Sequence, residues 1–291
     1  MRAYLVVGAS RGIGLALVVE LLKDPTILVL ATARAPNRAP GLQALSSSRL
    51  SILELDVTDA TSVERAASAA AALLPAGSGL DCLIYNAAVL LQEVTPFEQV
   101  DLAVFQQELL TNTVAPLHVV RAFLPLLRLP HPPSSTSSSL SSDISHRQST
   151  KIVFVSSDLG SLEVAPTKAG LCETYSVCKA GLGMLARKWG TTLKEEGICT
   201  LILHPGTVLH VFQHSQRQNA DSGVGGFTVL TTGWVDTDMG NSINIWMSEH
   251  RPGLSKISAT ESAARCLRVI EDARIEDAVA FYAYDGSRVP W

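Results

Sequence analysis

Short apolar runs alternate with longer amphipathic stretches along the whole chain. AYLVV, TILVLAT, LSILELDV, DCLIYN, KIVFVS, CTLILHP and AVAFY are short, apolar and bounded by turn residues, which predicts buried strands. GIGLALVVELLKD, ATSVERAASAAAALLP, DLAVFQQELLTNTVAPLHVVRAFLPLLR, ETYSVCKAGLGMLARKWGTTLKEEG and ATESAARCLRVIED carry the helical period. Strand–helix alternation of this kind predicts an α/β fold, a doubly wound parallel sheet with helices on both faces and ligands at the carboxyl ends of its strands. Hydrophobic residues make up 47% and charged residues 17% of 291 positions, which suits a sheet buried on both faces within a single domain, 1–291. Two segments break the rhythm. Leu129 to Thr150 is Pro- and Ser-rich and reads as a flexible surface loop, having too little apolar surface to offset its ordering entropy. Thr207 to Gly233 interrupts the chain after the sixth strand.

Charge narrows the partners. The net charge of −4 shows no basic surplus, so nucleic acid is not expected as a partner. Cys82, Cys172, Cys178, Cys199 and Cys266 are scattered without metal-ligand pairing and read as reduced thiols of an intracellular protein. No apolar run approaches the roughly 20 residues of a membrane span. The chain enters AYLVVG with no charged leader and cleavage site, which makes the cytosol the default address.

The turn after the first strand, VVGASRGIG, sets Gly8, Gly12 and Gly14 ahead of the first helix, with Ser10 and Ile13 between and beside them. Glycine permits a tight turn and lets main-chain N–H groups and a helix N-terminus approach a pyrophosphate. The spacing is G-x-x-x-G-x-G rather than G-x-G-x-x-G, and a purely structural turn uses the same residues. The second strand ends in LATAR, without an acidic residue to accept hydrogen bonds from a ribose 2′-hydroxyl. Arg34 stands just past that strand and Arg11 lies in the glycine turn. Two guanidiniums can clamp a 2′-phosphate, which favours NADP over NAD, although either arginine singly could be a solvated surface residue. Asp56 and Val57, closing LELDV, are placed to hold the adenine edge. Asn86, followed by Ala87 in IYNAA, either ties neighbouring loops together or caps a turn.

Tyr175 and Lys179 stand four apart in YSVCK and share a helix face. A tyrosine ordinarily titrates near pH 10, and a neighbouring ammonium stabilises its phenolate. On an exposed helix the same pair would be solvated neighbours; the serine pair of FVSSDLG and the glycine turn argue for chemistry instead. GASRGIG, DVTD, YNAA, the Asn of TNTVAP, the Ser of SSDLG, YSVCK and HPG occur in the order of the short-chain dehydrogenase/reductase family, which the chain resembles over nearly its whole length. SSDLGSL, the extended stretch before Tyr175 and the terminal YDGSRVPW look like its sniffer and C-factor group of carbonyl reductases.

The resemblance implies a Rossmann-type fold and a catalytic set of Asn112, Ser157, Tyr175 and Lys179. It implies NADP-dependent reduction of an aldehyde or ketone to an alcohol. Ser157 would polarise the carbonyl, with Ser156 as the competing candidate and the S-x-x-G spacing to Gly160 favouring Ser157. Tyr175 would deliver the proton, Lys179 would lower the phenol's pKa and bind ribose, and Asn112 would hold a water linking Lys179 to solvent. Pro205, Gly206, Val235 and Thr237 would hold the nicotinamide and the phosphates. The two long helices around Phe105 to Leu127 and Tyr175 to Leu193 would form a homodimer or homotetramer interface. Two alternatives remain open: an alcohol dehydrogenase working in the oxidative direction, and a non-catalytic dinucleotide-binding regulator on the same fold.

The family passes from Pro-Gly directly into x-Val-x-Thr-Asp. Here HPG and WVDTDMG are separated by Thr207 to Gly233, and removing that stretch restores HPGWVDTDM. A Gly-Thr-Val start can be encoded with GT and a Thr-Gly end with AG, so the segment reads as a retained in-frame intron; the alternative is a lid over the substrate cleft. His210 and His214 have the i, i+4 spacing of a metal pair but no carboxylate or Cys partner, and read as ordinary exposed histidines. Deleting Thr207 to Gly233, which joins Gly206 to Trp234, is expected to raise both stability and NADPH-dependent activity, as measured by thermal melting and steady-state kinetics of the two chains. Loss of turnover on deletion, together with a mature transcript that carries the segment, would identify a working lid instead.

Overall fold

All seven apolar runs form strands of one sheet. β1 (Arg2–Val7), β2 (Ile27–Ala33), β3 (Leu50–Glu54), β4 (Cys82–Tyr85), β5 (Thr150–Val155) and β6 (Ile198–His204) are joined at one edge by β9 (Phe281–Ala283). Every pairing is parallel and the order is β3-β2-β1-β4-β5-β6-β9. This computed structural model describes residues 1–129, 149–206 and 234–291. Residues 130–148 of the Ser-rich tract and all of 207–233, including His210 and His214, lie outside the described residues.

Alternation along β1 shows why both sheet faces are covered. Ala3, Leu5 and Val7 point into one core, with Val63 and Ala66 of α3 (Ala60–Leu73), Phe123 of α5 (Ala115–Leu127) and Leu182 of α6 (Glu173–Glu195). Tyr4 and Val6 point into the other, with Leu17 and Leu21 of α1 (Gly12–Leu21) and Cys266 and Ile270 of α9 (Ala259–Asp272). Each fully buried Val, Leu, Ile or Phe among them contributes roughly 1.5–3 kcal/mol relative to exposure. Helix starts follow the sequence: Asp59 accepts the Thr61 N–H at 2.9 Å to cap α3, and Ser258 accepts the Glu261 N–H at 3.1 Å to cap α9. All five cysteines are buried and free.

The expected single helix through TNTVAP is interrupted. α4 (Leu102–Leu109) passes into a π turn at Leu110–Val114 and then into α5. Pro116 has no N–H to offer the carbonyl four residues back, that of Asn112, so the α-helical register cannot continue there. Contrary to the expectation that no span-length apolar segment exists, the combined helix Leu102–Leu127 is long and apolar enough to cross a membrane by length and composition. One face of it belongs to the core: Val119, Val120, Phe123 and Leu127 join the cluster under the sheet, and Glu108 and Asn112 are wholly buried, while Leu102, Leu110 and Val114 are exposed. Beyond β6 lie elements the apolar pattern did not announce, a two-strand pair of β7 (Val235–Asp236) with β8 (Ile257–Ser258), and between them α7 (Asp238–Asn241) and α8 (Asn244–His250).

Candidate active site

The strand order turns back on either side of β1 and β4, and a crevice opens beyond their carboxyl ends. Gly8 follows β1 with φ +80°, and a Cβ there would stand 2.7 Å from the Cα of Ala87, so conformation and space both demand glycine. Its N–H donates to Thr32 Oγ1 at 3.1 Å, and the Asn86 amide donates to its carbonyl at 2.8 Å. Of the two roles open to Asn86, the structure takes the loop tie. The first turn of α1 has no side-chain cap and no acidic residue, which leaves its N–H groups directed at the crevice mouth.

A cavity of about 760 Å³ runs from this turn to α6. Its wall includes Gly8, Ser10, Arg11, Gly12, Ile13, Arg34, Asp56, Val57, Asn86, Ala87, Tyr175, Lys179, Pro205 and Thr237. Gly14, Asn112, Ser157, Gly206 and Val235 stand behind or beside the wall; of these only Ser157 is not buried. Burial acts to raise the Asp56 carboxyl, but hydrogen bonds from Thr58 and the charge of Arg34 outweigh it and hold the group below its ordinary range. Arg11 pairs with Asp238 at 3.2 Å, an exposed ion pair across the cavity mouth. Thr237 spends its hydroxyl on capping α7, accepting the Gly240 N–H at 3.1 Å.

At the other end, Lys179 is buried and donates from Nζ to the Val155 carbonyl at 2.9 Å, while Nζ lies 5.4 Å from the centre of the Tyr175 ring. Burial pushes Lys179 down to about 8. Tyr175 is pushed up, first by burial and then by the acidic groups Cys172, Cys178, Glu108 and Asp158 around it. This corrects the expected electrostatics for the cavity as it stands: burial and the acidic neighbours set the direction, and the phenol holds its proton more firmly than an ordinary tyrosine.

Asn112 is buried beside this wall. Its amide accepts from the Val89 N–H at 3.0 Å and donates to the Val89 carbonyl at 2.8 Å, so the side chain clamps the chain beyond β4. One turn earlier, Glu108 accepts the Leu91 N–H at 2.6 Å. The π-interrupted helix thus grips one cavity wall at two points.

Ser157 caps the short turn Asp158–Gly160, accepting the Leu159 N–H at 3.2 Å, while the adjoining Ser156 is on the wall itself. The S-x-x-G spacing has a packing cause. A Cβ on Gly160 would lie 2.7 Å from the main-chain carbon of Lys179, so glycine lets the serine turn rest directly on α6. Helix α6 begins from Cys172 at φ 52°, a left-handed conformation that costs about 1–2 kcal/mol for a non-glycine residue. The Cys172 N–H donates to the Glu93 carbonyl at 2.7 Å, and the Ser176 N–H and hydroxyl both donate to the Cys172 carbonyl at 2.8 Å, which fixes the helix start one turn before Tyr175. Leu171, Cys172, Tyr175, Trp246 and Met247 then form an apolar cluster with Trp234 and Met239 packed against it.

A model of the short chain dehydrogenase family matches residues 2–221. The chain belongs to that family. It is 28% identical over 294 residues to an uncharacterized oxidoreductase of Schizosaccharomyces pombe, the match covering all of this chain and 98% of the relative. Among solved structures it is similar to the NADPH-bound carbonyl reductase from chicken fatty liver, at 30% identity and TM-score 0.75, over 100% of this chain and 99% of that one. It shares its fold with the carbonyl reductase Sniffer of Drosophila melanogaster, at 23% identity and TM-score 0.76, over 100% of both chains.

Sequence reasoning missed Val89 and Leu91 on the cavity wall and Glu108, which holds Leu91, because a side chain gripping a distant main-chain segment leaves no periodic trace. It also passed over Asp158, Lys168 and His204. The only signal for them was a pair of charged residues in the turns beside the FVSS and YSVCK segments.

Proposed function

We propose that the protein is an NADP-dependent oxidoreductase that reduces an aldehyde or ketone to an alcohol. The observation that carries this reading is one cavity with an uncapped helix N-terminus and two arginines at one end and the buried Tyr175–Lys179 pair at the other. The residues fit the cofactor. At Gly8 a Cβ would strike the main chain of Ala87, so glycine keeps the turn tight against the end of β4, and the bare N–H groups of α1 suit a pyrophosphate. Arg34 and Arg11, with no acidic residue at the end of β2, suit a 2′-phosphate. Bound NADPH would supply the hydride.

The chain's own residues supply the rest. Tyr175 keeps its proton through the neutral range and delivers it to the carbonyl oxygen as general acid. Ser157, with Ser156 beside it, donates to the same oxygen as negative charge develops. Lys179 holds the ribose and steadies the phenolate left behind, and Asn112 keeps the opposite wall in place through Val89. Pro205, Gly206, Val235 and Thr237 border the nicotinamide end. Assays of NADPH oxidation against a panel of aldehydes, ketones and quinones test the reading; binding of NADPH without turnover of any of them would favour a dinucleotide-binding regulator.

Tyr175→Phe is expected to leave NADPH binding within about twofold while lowering carbonyl reduction by 10²-fold or more, the scale of a lost general acid. Fluorescence titration and steady-state kinetics measure the two effects. Lys179 must be charged to act, and burial sets its pKa near 8, so kcat/KM, which reports the free enzyme, should fall as pH rises through about 8. Lys179→Arg, which stays charged, should remove that limb from the profile. Arg34→Ala should weaken NADPH far more than NADH, because only the former carries a phosphate for the guanidinium; equal losses in titration would take Arg34 out of the phosphate site. Leu102, Leu110 and Val114 on the first long helix and Val177 and Met184 on α6 expose apolar side chains, and with the two helices they form a self-association face. Light scattering at micromolar concentration should give at least a dimer mass, and a monomer would reject that face.

A further inference from the structure

Asp158 follows the candidate serine and is buried, with 4% of its surface exposed. A carboxylate taken out of water needs partners, and Asp158 has them on three separate segments. Lys168, at the end of the turn Ala165–Lys168, donates from Nζ to Oδ2. His204, the last residue of β6, accepts the Asp158 N–H on Nδ1 at 3.3 Å, and its other ring nitrogen lies 3.9 Å from Oδ1. The Ser157 hydroxyl donates to Oδ1 at 3.5 Å, a long contact that orients the hydroxyl weakly. Tyr175, the fourth polar neighbour, feels the carboxylate's charge from α6.

These partners are not scattered. Ser157 is the residue before Asp158, His204 directly precedes Pro205 and Gly206, and Lys168 closes the turn that leads through Leu171 to Tyr175. Asp158 therefore joins the carbonyl-polarising turn and the substrate-side segment through its carboxylate, and the end of β6 that borders the nicotinamide through its main-chain N–H, with His204 Nε2 3.9 Å from the carboxylate. We propose that Asp158 is a positioning residue for the reaction, holding Ser157, the loop after His204 and the segment closed by Lys168 in the single arrangement that chemistry requires. The proposal rests on the carbonyl-reductase reading given above.

The physical consequence is specific. Breaking the junction misplaces groups around the reacting carbonyl by small distances, and misplacement of about 1 Å can cost on the order of 100-fold in rate. The cofactor's phosphates and adenine are held at the far end, by the glycine turn and the arginines, and lose nothing. A merely structural role would lower thermal stability, cofactor affinity and turnover together.

The test compares the parent with Asp158→Asn, Lys168→Met, Lys168→Arg and the double variant Asp158→Asn/Lys168→Met, in the full chain, with NADPH and the best carbonyl from the panel. Asp158→Asn should lower kcat at least about 10-fold with NADPH Kd within twofold of the parent, and the isotope effect with NADPH deuterated at the transferred position should rise as hydride transfer becomes more rate-limiting. Lys168→Met should show the same split, Lys168→Arg should recover most of kcat, and the double variant should lose no more than Asp158→Asn alone. Should Asp158→Asn fail to fold, Lys168→Met, altered at a partly exposed residue, is read by the same criteria. Parental kcat in both single variants overturns the inference, as does a loss of kcat matched by equal losses of NADPH affinity and melting temperature. A parent that binds NADPH yet turns over no carbonyl overturns the carbonyl-reductase reading and this inference with it, and it is distinguished by that absence in the parent itself.

Discussion

The site hangs from the meeting of β5 and α6. There an ammonium is buried with the Val155 carbonyl as its hydrogen-bond acceptor, and a turn without a Cβ at Gly160 lies against the main chain that carries it. Desolvation makes that ammonium costly, which is why Lys179 sits near 8 rather than near an ordinary lysine value. The same closeness places Tyr175, the serine turn and Asp158 within one small volume.

The cofactor end obeys a different constraint, steric rather than electrostatic. Gly8 and Asn86 bring the ends of β1 and β4 into contact across the crevice, and α1 presents bare N–H groups beside them. Nothing at this end depends on a buried charge. The two ends of the cavity can therefore be altered separately, and differences between cofactor affinity and turnover become informative about which end a residue serves.

The substrate side is apolar. Leu171, Cys172, Trp246 and Met247 close around Tyr175, and burial there strengthens the phenol's hold on its proton. On the function proposed above, an apolar wall beside Tyr175 suits delivery of a proton to a developing alkoxide, since water does not compete for it. The strained start of α6 at Cys172 fixes where Tyr175 stands relative to the wall.

The sequence by itself determined the seven strands, the parallel doubly wound sheet, the glycine turn and the Tyr175–Lys179 pair. These rest on local spacing: apolar runs make strands, glycines make turns, and residues four apart share a helix face. Tertiary structure decided the rest. That Asn112 spends its amide on Val89, that Glu108 grips Leu91, and that Asp158 gathers Lys168 and His204 could not be seen in the pattern, because each joins residues from 10 to 46 positions apart. The π turn was half legible, through Pro116, but its effect on Asn112 needed the packed helix. The direction of the Tyr175 shift was misjudged from spacing alone, because a neighbouring cation can be counted along a chain, whereas the desolvation that raises the phenol exists only once the two core layers and the apolar cluster have closed around it.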